Sequence, residues 1–117
     1  MSIDKFFNRT YDRQNYNCAH FVAEVFKAET GRDIAHILKG FLLPPKDRYV
    51  RAGLQHKFVK LDEPKNNCIV LMRRPRSVPH VGIFIRGKVL QIHETGVEYM
   101  PLDIATRGFT KIGFYAC

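Results

Sequence analysis

The apolar residues of this chain change their period once. Cys18, Phe21, Val22, Val25 and Phe26 recur at the three- and four-residue steps of an amphipathic helix. From residue 57 onward short apolar runs replace that pattern, at 57–61, 68–73, 81–86, 89–93, 97–100 and 112–116, separated by turn residues. Helices in one part and strands in the other predict an α+β domain rather than the alternating units of a parallel sheet. Asn17 is a good N-cap and Gly31 a stop, which bounds the first helix. A second, short helix is expected over 33–39 with Ile34, Ile37 and Leu38 inward, ended by Gly40 and the Pro44-Pro45 pair. A third helical piece is expected to begin at Pro45 and run through Tyr49, Val50 and Leu54. Arg86-Gly87-Lys88 supplies a tight hairpin and Thr95-Gly96 another turn, so the strands read as an antiparallel meander.

With 117 residues, 45% of them hydrophobic, and nine Phe, the chain has apolar material for one core, and residues 1–117 are read as one domain. No apolar run approaches the roughly 20 residues of a membrane span, and Met-Ser-Ile-Asp-Lys-Phe-Phe lacks the features of a secretory signal. Synthesis and retention in a cytoplasm are therefore expected, unless something else carries the protein out. Three cysteines, scattered at Cys18, Cys68 and Cys117, cannot form a complete disulfide set and have no CxxC spacing, so reduced thiols are expected. Cys68 opens an apolar run and reads as a core residue, and Cys117 as a residue without chemistry. There is no HExxH and no glycine-rich phosphate loop, so neither a metal nor a cofactor is expected.

The net charge of +8 is spread along the chain, five of the excess positive charges falling in residues 1–60 and three in the remainder. A pI near 9.7 favours anionic surfaces without choosing among them. Nucleic acid is the least favoured, because no aromatic-basic strand motif or helix-turn-helix stands out. Arg73, Arg74 and Arg76 are sharper. They lie just before His80, where they would border a site and bind a substrate carboxylate or phosphate, or else form a charged loop that adds solubility.

The leading constellation pairs Cys18 with His80 and His93. A thiol is potent only as a thiolate, which requires a helix N-terminus to stabilise the anion, an imidazole to take the proton and a polar group to orient that imidazole. Cys18 falls in the first helical turn, His80 opens a strand, and His93 ends the next. If the hairpin is centred on Gly87, residue 80 faces residue 94. His93 is then within about one register step, and a bulge near Gly87 could bring it onto the face of His80. His20 lies two residues after Cys18, about 200° around the helix, and should be structural or exposed. His36 and His56 have no partners at metal spacing.

These residues carry a resemblance. Tyr16-Asn17-Cys18-Ala19-His20-Phe21-Val22 resembles the Asp-Cys-Ser-Gly-Phe-Val block around the nucleophile of NlpC-type cysteine peptidases, small papain-like enzymes that cut peptidoglycan stem peptides. Phe58 to Leu61, leading through Pro64 to Cys68-Ile69-Val70-Leu71-Met72, is similar to that family's Pro-Gly-Asp-Leu-Val-Phe-Phe strand, with Asn67 and Cys68 where Gly and Asp usually stand. His80-Val81-Gly82-Ile83-Phe84 resembles its His-Val-Gly-Ile-Tyr strand, Ile92-His93 its Ile-His-Ala strand, and Gly96-Val97 the Gly-Val that follows. The likeness runs from about residue 11 to residue 117. It implies a papain-like NlpC fold with Cys18 as nucleophile, His80 as base and His93 as orienter. It also implies an oxyanion site made by the Cys18 N–H and an upstream tyrosine, for which Tyr11 is the nearest candidate. The chain departs from the pattern where Ala19-His20 replaces Ser-Gly and where one extra residue enters the His80 to His93 hairpin.

The resemblance implies hydrolysis of amide bonds in peptidoglycan stem peptides, with no cofactor. Acyltransferases of the lecithin:retinol type share an Asn-Cys-Glu-His-Phe-Val block, but their catalytic histidine precedes the cysteine, whereas here His80 follows Cys18. Acyl transfer and thioester hydrolysis stay open as related chemistry. Small basic versions of the family also occur as phage tail components, so a non-catalytic tail or assembly module is the rival from another class, with phage proteins as its partners.

Overall fold

The computed structural model describes residues 3–38 and 58–116. Helix α1, Cys18–Thr30, starts where Asn17 closes it: the Asn17 carboxamide oxygen accepts the N–H groups of Ala19 at 3.0 Å and His20 at 3.4 Å. His20 returns the bond, its Nδ1 accepting the Asn17 N–H at 3.1 Å. A histidine thus completes a capping box, in the position that Glu or Gln usually fills. The helix stops at Gly31, whose φ of 81° lies in the left-handed region that glycine enters without steric cost. Phe21, Val22, Val25 and Phe26 are buried, as the spacing predicts.

Helix α2, Ala35–Leu38, begins two residues later than expected. Asp33 does not join it because its side chain accepts the Ala35 N–H at 3.0 Å, acting as a cap outside the helix. Ile34 and Leu38 are buried and Ile37 packs partly buried against the core. The helical piece expected from Pro45 lies outside the described residues, as do His56 and Cys117.

Among the described residues six strands follow: β1 Val59–Leu61, β2 Cys68–Arg73, β3 His80–Ile85, β4 Lys88–His93, β5 Gly96–Met100 and β6 Lys111–Ala116. They form one antiparallel sheet in the order β1-β6-β2-β3-β4-β5, so the architecture is α+β. β2 to β5 make the expected meander. β6 departs from it by inserting between β1 and β2. The cause is β2, whose residues 68–72 are all buried. A strand buried on both faces sits inside a sheet and needs hydrogen-bonding partners on both edges, which β3 and β6 supply. Helix α3, Leu102–Ala105, was not foreseen, a single turn being too short to show a helical period.

The sheet has a core on each face. α1 packs on the side carrying Ile69, Leu71, Val81, Ile83, Leu90 and Ile92. Val70, Met72, Val89 and Ala105 pack together on the other side, with Phe84, Leu102, Phe109 and Phe114 against them. Among the described residues no helix is long and apolar enough to cross a membrane.

Candidate active site

The loop before α1 is held down from both ends. Asp12 and Tyr16 exchange backbone bonds at 2.9 and 2.8 Å, and the Asp12 carboxylate accepts the N–H groups of Gln14 and Asn15. On the helix side, Glu24 receives Arg9 through two bonds, at 3.1 and 2.8 Å, together with the Tyr16 hydroxyl. Phe6 is buried and meets Phe21 edge-on, as does Tyr16. Phe7, beside Phe6 in sequence, is exposed. The tightened loop carries Tyr11 and Arg13 to the rim of a cavity beside Cys18.

That cavity measures about 770 Å³, a size suited to a ligand site. It sits over one end of the sheet, where β3 begins and β4 ends. Cys18, His80 and His93 all line it, and Tyr11 with them. Of the three arginines expected there, only Arg74 lines it. Arg73, the last residue of β2, borders a separate hollow with Lys60 and Lys111, because successive strand residues face opposite ways. Arg76 is exposed in the loop outside the lining.

The hairpin register explains how the histidines meet. Arg86 and Gly87 form a two-residue turn, with φ of 49° and 87°, and β3 pairs with β4 as Ile85↔Lys88, Phe84↔Val89 and Ile83↔Leu90. Counted on from the last of these pairs, His80 comes opposite His93 rather than residue 94. Their rings stack at 4.7 Å with 15° between planes. Phe109 stacks on His80 at 5.9 Å, and the Arg74 guanidinium lies 4.7 Å from the centre of the Phe109 ring. His80 is therefore sandwiched between two rings.

The hydrogen bond that orients His80 comes from a residue the sequence reading missed. His80 Nε2 lies 2.9 Å from Oε1 of Gln91, the one buried polar side chain of the described core. His93, to which the resemblance assigns orientation, contacts His80 by stacking and has its own Nε2 3.5 Å from Glu98 Oε2. The clue was a glutamine between Leu90 and Ile92 in an otherwise apolar strand, two residues from His93 and so on the same face. Phe109, Arg13, Glu94 and Glu98 also line the cavity without having been singled out.

Burial, then the positive charge that His93 can present, lower the His80 pKa to about 4; the Gln91 bond raises it by less, and the Arg74 charge lowers it least. The ring is thus neutral at pH 7. The unfolded imidazole, near 6.5, binds its proton first as pH falls, so stability present above about pH 6.5 is lost as pH drops towards 4. Allowing for partial exposure, the loss is about 2 kcal/mol. Urea unfolding at pH 7 and pH 4.5 should show it, and His80→Gln should remove that component of the pH dependence.

Cys18 is buried, and burial pushes its thiol pKa up. The backbone N–H groups of Val81, Ala19 and Cys18 itself lie against the sulfur and offset part of this. Because Asn17 takes the N–H groups of Ala19 and His20 and the Phe21 N–H bonds the Asn17 carbonyl, the Cys18 N–H is left at the cavity end of the helix. Among the described residues Cys18 makes no hydrogen bond to His80. At rest the cavity is lined by a neutral thiol and a neutral imidazole. Burial also raises the Tyr11 pKa, so that residue is a protonated donor at neutral pH. Cys68 is buried with its thiol pKa raised, as a core residue should be. His20 is engaged in the helix cap and stacks on Tyr16.

No protein-family model matches the chain, and no curated protein matches it.

Proposed function

We propose that this protein is a cysteine hydrolase of the NlpC type, with a papain-like arrangement, that cleaves amide bonds in peptidoglycan stem peptides. The observation that carries the reading is the meeting of Cys18, on the first turn of α1, with a neutral, hydrogen-bonded His80 in one cavity. His80 takes the Cys18 proton as the sulfur attacks the carbonyl carbon, the Cys18 N–H and Tyr11 hydroxyl stabilise the oxyanion, and the protonated His80 passes the proton to the leaving amine. A water, deprotonated by His80, then hydrolyses the thioester and regenerates the thiol. Synthesis in a cytoplasm and delivery to the wall in a phage particle belong to the same reading.

Alkylation by iodoacetamide tests it, with Cys68 as the internal reference. Cys18 should react faster than Cys68, and His80→Ala should slow Cys18 by about a hundredfold, the usual scale of a general base. Equal Cys18 rates in the two proteins would overturn the hydrolase. A second reading, a non-catalytic tail or assembly module, is favoured by the buried, base-free resting state of Cys18, and equal rates would support it.

A further inference from the structure

We infer that Glu98 is a positioning residue for His80: acting through Gln91, its carboxylate selects the imidazole tautomer that carries its proton on Nε2 and leaves Nδ1 as the free base. The tautomer assignment stands on geometry alone, and its catalytic consequence rests on the hydrolase reading above.

The sheet brings the groups together. Gln91 and Glu98 are direct cross-strand partners on β4 and β5, so their side chains share a face, the face that His80 and His93 occupy. Gln91 Nε2 donates to Glu98 Oε2 at 3.4 Å, while Gln91 Oε1 lies 2.9 Å from His80 Nε2. A carboxamide has one end that only accepts and one that only donates, and the two can exchange by rotation. With its oxygen towards His80 it can only accept, which places the imidazole proton on Nε2. Nδ1 then keeps the lone pair that a general base needs.

Gln91 cannot choose that orientation by itself, since the reversed amide could donate to the other tautomer of His80 equally well. Glu98 makes the two unequal. Reversal would set the amide oxygen against a carboxylate oxygen at about the 3.4 Å of the present contact, with no proton between them. It would also place the proton of His80 on Nδ1, the nitrogen the reaction requires bare. Gln91 is fully buried, so water is poorly placed to bridge the mismatch. The same Glu98 oxygen lies 3.5 Å from His93 Nε2, a second contact on the carboxylate.

Two variants separate the outcomes, and both change a side chain that is 40% exposed, where substitution is tolerated. Glu98→Leu removes the selection, and Glu98→Lys reverses it by offering the Gln91 oxygen a donor. The readout is the long-range 15N–1H NMR spectrum of the His80 ring at pH 7. The wild type should show Nε2 protonated and Nδ1 bare. Glu98→Leu should give a mixture, and Glu98→Lys should move the population towards protonated Nδ1. An unchanged Nε2–H tautomer in both variants would overturn the inference. If the wild type hydrolyses stem peptides, the same variants should lower kcat by about 10- to 100-fold with little change in KM, the scale on which outer-shell partners of a functional histidine act. A wild type without hydrolysis would defeat the hydrolase reading alone, because the tautomer is read without turnover.

Discussion

Cys18→Ala should reduce hydrolysis of stem-peptide amides at least about a thousandfold while leaving the fold intact, the largest functional effect expected of any single change in this chain. Alanine removes one sulfur atom from the wall of the cavity and keeps the helix, since the cap is made by Asn17 and His20 rather than by residue 18. The stability cost should stay near 1 kcal/mol, as befits a small side chain at the margin of the core. Hydrolysis of soluble peptidoglycan fragments, followed by separation of the products, measures the first quantity, and thermal unfolding the second. Residual turnover within tenfold of wild type would remove Cys18 from the reaction. The substitution also isolates the nucleophile from its setting, because His80 keeps its Gln91 bond and its two stacking partners.

The second large effect falls on stability. Phe21→Ala should cost about 3 to 5 kcal/mol, the usual range for emptying a fully buried aromatic site. For a chain of this size that corresponds to a fall in Tm on the order of 15 °C. Phe21 meets Phe6 and Tyr16 edge-on, with ring centres 6.3 and 6.4 Å away, so its loss also frees the loop that carries Tyr11 and Arg13. Urea unfolding monitored by circular dichroism gives the number. A loss below about 1 kcal/mol would mean that the cavity wall is not held by this cluster. Phe7→Ala is the control: Phe7 is 44% exposed, and its truncation should change stability by no more than about 0.5 kcal/mol.

The candidate site was legible where a residue announces itself through local context. Cys18 follows a capping residue, and His80 opens an apolar strand, so helix start and strand start could be read before either was seen. Gln91, Glu98 and Phe109 could not be found in the same way. Each becomes a neighbour of His80 only through pairing across strands or packing between elements, and Phe109 comes from the segment between α3 and β6. The register of the hairpin was misjudged for a related reason: placing the turn on Gly87 alone, instead of on Arg86 and Gly87 together, shifts every pair by one residue.

By itself the sequence determined the elements: a capped amphipathic helix starting at Cys18, apolar strands with turns between them, and hence an α+β chain. These depend on backbone preferences and side-chain periods that act over a few residues. Only the tertiary structure decided that β6 lies between β1 and β2, that Arg74 and not Arg73 reaches the cavity, and that Gln91 and Glu98 stand in line with His80. The physical reason is that alternation assigns each strand residue to a face but leaves the choice of neighbouring strand open. That choice is made when buried strands such as β2 must satisfy both edges at once.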